Sequence, residues 1–258
     1  MRTLIGLVAF ALNALGQMCG STAAQPATDA NLVTALDVSD SIMRHDEWIQ
    51  FDGITKAIVD PAFLRAIARG PHGRVGFSVV VWSSGGNPRV VVPWTMIGSR
   101  EDAERIAARL RATLGIDRSG YRRPDNDSGG RPPGQRLRTD VSRAIDFSAN
   151  MIARAPYGAT RNVINVCSNG VDNVSGAPDA ARNRALAAGA IVNGVVIGAR
   201  GDVADYFRRH VQAGPGSFVL EARQPTAIAD AMLRKFLMDL LVQQPVRPPS
   251  NDASHRAG

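Results

Sequence analysis

Hydrophobic segments of two kinds alternate along the chain. Nearly continuous apolar runs predict buried β-strands at residues 31–37, 74–82, 89–94, 162–167, 190–197 and 217–220. Apolar residues spaced three or four positions apart predict helices at residues 45–58, 99–114, 140–152, 178–188, 202–211 and from 228 onward. Strands that alternate with helices indicate a doubly wound α/β fold, in which helices flank a mostly parallel central sheet. The turn residues at 83–88 and Pro93 predict that 89–94 is one antiparallel strand at the sheet edge.

The two ends of the chain differ from this body. Residues 1–24 combine one early Arg, an apolar run from Leu4 to Leu15 and small residues before a cleavage position, which is the pattern of a secretory signal peptide. Residues 243–258 contain three prolines and no apolar periodicity, which predicts a disordered tail. One domain, residues 30–242, remains between them, and we expect it to be periplasmic or extracellular.

Composition excludes several classes of protein. The 258 residues are 45% hydrophobic, too apolar for a disordered chain, yet no apolar run reaches the roughly 18–20 residues of a membrane span. The formal net charge is +7, but the basic residues do not form one block, so nucleic-acid binding is not expected. Removal of the leader would leave one cysteine, Cys167, which we expect to lie in the core without a disulfide.

Oxygen-bearing side chains follow the first predicted strand. Asp37, Ser39 and Ser41 are spaced at i, i+2 and i+4 directly after the apolar run. Ligand sites in parallel α/β sheets lie beyond the carboxyl ends of the strands. Carboxylates and hydroxyls are hard ligands that suit Mg²⁺ or Mn²⁺. A simpler alternative is that Ser39 or Ser41 caps the following helix.

The segment LVTALDVSDSI, which contains these residues, resembles the first metal-ion-dependent adhesion site motif of von Willebrand factor A domains. Further along the chain, RVGFSVVVWSS, RTDVSRAIDFSAN and RNVINVCSNGVDN carry a closer resemblance to a family of secreted bacterial proteins with an A-like domain. The resemblance covers residues 30–241. It implies a binding module in which a metal keeps one coordination position open for an acidic residue of a protein or other macromolecular partner.

The resemblance also implies which other residues join the site. Thr139 would be the second-loop ligand, and Asn169 stands where the third loop of the family carries Asp. Asn keeps an oxygen but lacks the charge, so we expect weak binding of Mg²⁺ or Mn²⁺, with Asp40, Asp140 or Asp172 as compensating acids. Two alternatives stay open: Thr139 is only a helix N-cap, or the site is a metal-free structural scaffold.

An Arg-rich stretch, residues 115–138, precedes Thr139. It contains Arg122, Arg123 and Arg138, which we expect to contact an acidic partner because one end of the stretch lies beside the candidate site. A solvated loop without a binding role is the alternative.

An enzymatic function has less support in the sequence. The segment VCSNG at residues 166–170 places Ser168 at a strand end but lacks the first Gly of the G-x-S-x-G motif. A serine hydrolase that uses Ser168 with His45, His72 or His210 is therefore the alternative. We expect no enzymatic activity, and we expect Ser168→Ala to inactivate a hydrolase but leave a binding module intact.

Overall fold

The computed structural model describes residues 24–42, 44–84, 88–114, 136–175 and 178–241, without the side chains of residues 44–46, 113, 114, 225 and 241. Its strands are β1 (Ala27–Thr28), β2 (Asn31–Asp37), β3 (Val75–Trp82), β4 (Arg89–Ile97), β5 (Gly158–Ala159), β6 (Asn162–Ser168), β7 (Ala190–Ile197) and β8 (Val219–Ala222). Its α-helices are α1 (Arg44–Val59), α2 (Pro61–Ala68), α3 (Arg100–Leu114), α4 (Val141–Ala153), α5 (Asp179–Ala187), α6 (Gly201–Tyr206) and α7 (Ile228–Leu241). The predicted leader up to residue 23 and the predicted tail 243–258 lie outside these residues.

Six strands form one sheet in the order β4-β3-β2-β6-β7-β8. All neighbours are parallel except β3 and β4, which are antiparallel, so the predicted mostly parallel sheet with one antiparallel edge strand is confirmed. Every residue of β2 is buried, which explains its continuous apolar run. The strand order changes direction at β2, since β3 and β4 lie on one side and β6 to β8 on the other. In such sheets, ligands bind at the carboxyl ends of the strands beside this point.

Helices cover both faces of the sheet and form a hydrophobic core on each. Helices α1, α2, α3 and α7 enclose the first core, in which Phe51, Phe63 and Phe236 are fully buried. Helices α4, α5 and α6 enclose the second core, which includes Ile145 and Phe207. Within the described residues, every helix is too short or too polar to span a membrane.

Side-chain caps mark the beginnings of two helices. A capping box begins α3, because the Asp102 N–H donates to Ser99 Oγ at 3.2 Å and the Ser99 N–H donates to Asp102 Oδ2 at 3.1 Å. Helix α2 was not predicted. It begins at Pro61, and Asp60 caps it by accepting the Ala62 N–H at 2.7 Å. Eight residues are too few for an apolar period to reveal this helix.

Two predicted elements differ from the structure by more than two residues or in type, and the strand predicted at 217–220 is shifted to Val219–Ala222. Strand β4 continues to Ile97 instead of ending at Trp94, because it stays paired with β3 as far as Val75. The predicted helix at 202–211 becomes a π-helix at Phe207–Val211. There the Gln212 N–H donates to the Phe207 carbonyl, five residues back, at 2.8 Å. The spacing of apolar residues does not distinguish this hydrogen-bonding pattern from that of an α-helix.

A buried polar network lies within the first core. Thr34, Asn165 and Asn193 share one row across β2, β6 and β7. Lys235 Nζ lies 3.3 Å from Asp239 Oδ2 and donates to Thr34 Oγ1 at 3.3 Å, and the two Asn amides each donate to Asp239 at 3.0 Å. Burial lowers the pKa of Lys235 and raises the pKa of Asp239, because desolvation disfavours both charges.

Candidate functional site

The first loop begins at Asp37, the last residue of β2, whose side chain is fully buried. Asp37 Oδ1 accepts the Ser39 N–H at 2.7 Å and turns the chain over the end of the strand. Asp37 Oδ2 accepts the Ser168 hydroxyl, which extends from the end of the neighbouring strand β6, at 2.6 Å. Both oxygens of the carboxylate are therefore held by donors from different segments, and its orientation is fixed.

A chain of hydroxyl groups extends from the first loop to the second. Ser39 Oγ lies 2.9 Å from Ser41 Oγ and 3.3 Å from Thr139 Oγ1. Ser39 and Thr139 are buried, whereas Ser41 is exposed, so the chain opens to solvent at Ser41. Helix α1 begins at Arg44, so neither serine occupies its N-cap position. The alternative in which Ser39 or Ser41 caps that helix is wrong.

Thr139 is not the N-cap of α4, and that alternative is also wrong. Asp140 is the N-cap, because its side chain accepts the Arg143 N–H at 3.1 Å. The Thr139 backbone is instead paired with the third loop, which follows β6 and contains residues 169–175. Its N–H donates to Asn173 Oδ1 at 3.0 Å, and its carbonyl accepts the Asn173 N–H at 3.0 Å. This pairing leaves the Thr139 hydroxyl beside Ser39.

Asn169 joins the third loop to the first through two hydrogen bonds with one residue. Ser41 Oγ donates to Asn169 Oδ1 at 2.8 Å, and Asn169 Nδ2 donates to the Ser41 carbonyl at 2.9 Å. An Asp at this position lacks the N–H donor for the second bond. Gly170 follows, where an added Cβ would lie 3.4 Å from Thr139 Oγ1. All five predicted site residues thus lie together at the carboxyl ends of β2 and β6.

Two of the predicted compensating acids hold the loops in place. Asp40 Oδ2 accepts the Leu137 N–H at 2.9 Å, and the Asp40 N–H donates to the Leu137 carbonyl at 2.9 Å. Asp172 accepts backbone N–H groups of the third loop and of α4, including Ser142 at 3.0 Å. Burial acts to raise the pKa of Asp172, but these donors outweigh it and lower the pKa.

The third predicted acid, Asp140, lies at the mouth of a groove along α4. The groove has a volume of about 440 Å³, and Phe147, Asp146 and Asn150 are among its lining residues. Burial is the main cause that raises the pKa of Asp140; its bond from the Arg143 N–H opposes the rise, and the neighbouring charge of Asp172 adds to it. The charge of Asp140 is therefore less stabilised than that of Asp172.

Arg138 is exposed and directly precedes Thr139. It lines a cavity of about 340 Å³ that also contains Ser41 and Thr139. Arg122 and Arg123, the other predicted partner-binding residues, lie outside the described residues.

Ser168 and Cys167 end strand β6 inside the fold. Burial raises the pKa of the Cys167 thiol to about 12, which agrees with its predicted place in the core. Ser168 is fully buried and bonded to Asp37, and His210 Nδ1 lies 2.9 Å from Asp179 Oδ2 instead. From its sequence motif, Ser168 was expected only as a possible nucleophile. Its position at the end of the strand beside β2 is the signal that predicts contact with Asp37.

The donor set can be compared with the needs of a divalent cation. Three hydroxyls, one amide oxygen and one carboxylate are all hard oxygen ligands, the type that Mg²⁺ and Mn²⁺ prefer. Among the described residues, no three His, Cys, Asp or Glu side chains form a metal-binding group. The residues therefore fit a hard cation in ligand type, with a low ligand charge that predicts weak affinity.

A family model with the description "Protein of unknown function (DUF1194)" matches residues 27–120 and 127–244. The chain belongs to this family. No curated protein matches the DUF1194 chain.

Solved structures similar to the DUF1194 chain share its fold. Proximal thread matrix protein 1 (PTMP1) from the mussel byssus is 15% identical with a TM-score of 0.54, over 84% of this chain and 49% of that one. A PTMP1 structure with a zinc-occupied MIDAS motif is 16% identical, with a TM-score of 0.52, over 84% of this chain and 48% of that one. The pilus adhesin SpaC from Lactobacillus rhamnosus GG is 12% identical, with a TM-score of 0.55, over 84% of this chain and 30% of that one.

These neighbours are von Willebrand factor A-domain proteins, which confirms the predicted fold. The chain spans about half the length of PTMP1 and less than a third of SpaC. At these identities, the similarity extends to the fold alone.

Proposed function

We propose that the chain is a secreted von Willebrand factor A-type binding module that engages a protein partner at the carboxyl ends of β2 and β6. The main support for this proposal is that polar side chains from distant segments of the chain contact each other there. Ser39 contacts Thr139, 100 residues away, and Ser41 contacts Asn169, 128 residues away. A fold gathers polar groups from three loops at one end of its sheet when that end recognises a ligand.

The site is proposed to bind Mg²⁺ or Mn²⁺ weakly. Ser39, Ser41 and Thr139 would be direct ligands, and Asp37 and Asn169 would act directly or through water. The zinc-occupied MIDAS motif of a neighbour with the same fold supports a divalent cation at this end of the sheet. Bound there, a cation supplies a positive centre for a carboxylate of the partner, and the Arg-rich stretch with exposed Arg138 would attract that partner.

A binding role is preferred to catalysis, and a periplasmic or extracellular location is preferred to a cytoplasmic one. The neighbours include a byssus thread matrix protein and a pilus adhesin, whose names indicate structural and adhesive roles. The buried Ser168 hydroxyl donates to a carboxylate, which speaks against a nucleophilic role. The leader-like pattern of residues 1–24 supports secretion.

The test is calorimetric titration of Mg²⁺, Mn²⁺ and Zn²⁺ into the purified, chelator-treated protein and its variants. We expect saturable one-to-one binding of Mg²⁺ or Mn²⁺ that Ser39→Ala and Thr139→Ala each weaken at least about tenfold, the cost of one lost oxygen ligand. Ser78→Ala, a fully buried serine in the middle of β3, controls for loss of a core hydroxyl. Thr160→Ala controls for an exposed threonine before β6, at the opposite end of the sheet.

Absence of binding at millimolar metal would refute the metal site and leave a metal-free binding face as the surviving form of the proposal. Binding that Ser39→Ala and Ser78→Ala reduce equally would also contradict the ligand assignment, because the effect would then be one of stability.

A further inference from the structure

The cavity beside the candidate site brings two cationic side chains close to its hydroxyl groups. Its lining comprises Asp40, Ser41, Arg136, Leu137, Arg138, Thr139 and Asn173, around a volume of about 340 Å³. Arg136 and Arg138 are both exposed. Within the described residues, neither guanidinium forms an ion pair, whereas Arg184 and Arg208 each hold a carboxylate within 2.8 Å. One wall of the cavity therefore carries two guanidinium groups that no described acidic side chain holds in an ion pair.

The backbone that carries the two arginines is fixed on both sides. Asp40 clamps Leu137 between them through two hydrogen bonds of 2.9 Å. Arg138 is paired with Ser84, since its N–H donates to Ser84 Oγ at 2.6 Å and its carbonyl accepts the Ser84 N–H at 2.9 Å. Among the described residues that line the cavity, Asp40 contributes one negative charge, and Arg136 and Arg138 contribute two positive charges. The held backbone at Leu137 and Arg138 keeps both arginines beside the same cavity.

An apolar rim lies on the third loop, beside the same cavity. Val171 and Val174 are 37% and 43% exposed, and Asn173 between them lines the cavity. They are two of the four exposed large hydrophobic residues in the described part of the chain. Exposed valines beside cations suit a polypeptide with both acidic and apolar side chains better than a sulfated sugar, which has no large apolar group.

We infer that this cavity is a second anion subsite, which selects a polypeptide segment with two neighbouring acidic residues followed by an apolar residue. One carboxylate reaches Ser41 and Thr139, and the other reaches Arg136 and Arg138. Because Arg138 and Thr139 are consecutive, the two carboxylates belong to adjacent or alternate residues. The inference extends the proposed function, but the arginine subsite acts without metal, so the two can fail separately.

The test uses three fluorescent peptides of sequence Gly-Asp-Asp-Val-Gly, Gly-Asp-Asn-Val-Gly and Gly-Asn-Asn-Val-Gly, with binding measured by anisotropy in Mn²⁺ and in chelator. We expect the diacidic peptide to bind about three- to tenfold more tightly than the monoacidic one, as for partly exposed charge pairs. The double variant Arg136→Gln/Arg138→Gln should abolish this preference and leave the monoacidic peptide unchanged. Arg109→Gln on α3, also an exposed arginine, is the matched control.

Comparison of peptide binding in Mn²⁺ and in chelator separates the proposed metal site from the inferred arginine subsite. If the metal proposal fails, Mn²⁺ and Ser39→Ala have no effect, but the preference for the diacidic peptide and its loss in the double arginine variant persist in chelator. The inference is overturned if the double variant keeps the preference, if Arg109→Gln loses it equally, or if no peptide binds at millimolar concentration. Tighter binding of a sulfated oligosaccharide than of the diacidic peptide would also overturn it in favour of a glycan.

Discussion

The buried pair Lys235–Asp239 predicts that single substitutions destabilise the protein more than a double one. Both side chains are 0% exposed, so each charge depends on the other for solvation. We expect Asp239→Ala to lower the free energy of unfolding by about 3–5 kcal/mol, the cost of leaving a buried charge unpaired. Two buried amides, Asn165 and Asn193, would also lose their acceptor, at about 1–3 kcal/mol each when nothing replaces it. These two costs overlap, so we expect Asp239→Ala to lower the free energy of unfolding by at least about 4 kcal/mol.

Lys235→Met should cost less than Asp239→Ala, because Asp239 keeps both amide donors. The double variant Lys235→Met/Asp239→Asn removes both charges and retains an oxygen acceptor, so we expect it to lose less than either single variant. Urea unfolding followed by circular dichroism gives the free energies. The matched control is the surface pair Lys56–Asp52 on α1, in which the lysine side chain is 63% exposed. There, Lys56→Met should change stability by less than about 1 kcal/mol.

The pH dependence of Lys235→Met gives a second measure of the same pair. Burial raises the pKa of Asp239 above its unfolded value of about 3.9, and loss of the lysine charge raises it further. The folded variant then holds a proton that the unfolded chain has already lost. The free energy of unfolding that Lys235→Met loses relative to the unsubstituted protein should therefore become smaller as the pH falls from 7 to 5. A deficit independent of pH, or a double variant as unstable as the sum of the single ones, would refute the reasoning.

Three further substitutions test individual contacts. Asn169→Asp removes the donor to the Ser41 carbonyl, so we expect a melting temperature about 2–4 °C lower without metal. The added negative charge should make Mn²⁺ binding about tenfold tighter by calorimetry. If neither quantity changed, the third-loop assignment would be contradicted. Ser168→Ala removes the 2.6 Å bond that orients Asp37, so metal affinity should fall several-fold in titrations, against the initial expectation that a binding module would stay intact. Gln50→Leu should raise the unfolding free energy by about 1–3 kcal/mol in urea, because both amide atoms of Gln50 are buried without a described partner; a loss of stability would imply one.

Strands and long helices were predictable because burial determines which positions of an element are apolar. Strand β2 is buried along its whole length and reads as a continuous apolar run, and α4 buries one face and reads as an apolar stripe. The buried network around Lys235 was not predictable in the same way. Polar residues in a core are satisfied by partners on other elements, and Thr34 and Lys235 are 201 residues apart. A single sequence contains no signal that joins such positions.

The candidate site was predictable to the level of residues, and less so to the level of contacts. The rule that ligand sites lie beyond strand ends pointed to Asp37, Ser39 and Ser41, and the family resemblance added Thr139 and Asn169. The acids Asp40 and Asp172 were expected to add charge to the site, yet the hydrogen bonds described for them hold the loops. Backbone N–H groups are among their partners, together with the Ser142 and Ser175 hydroxyls at Asp172. The sequence does not specify which donors a loop presents to a carboxylate.

Asn169 illustrates why a departure from a family motif has two physical consequences. As a metal ligand, Asn is weaker than Asp, because the site has one negative charge fewer. Read as a hydrogen-bonding group, it is a gain, because the amide both accepts from and donates to Ser41. In a site built around a tightly held cation, the metal itself would draw the loops together. Here the amide already joins the first and third loops, so order at the site and metal occupancy can vary independently. This separation is why we expect Asn169→Asp to make the order of the site depend on the cation.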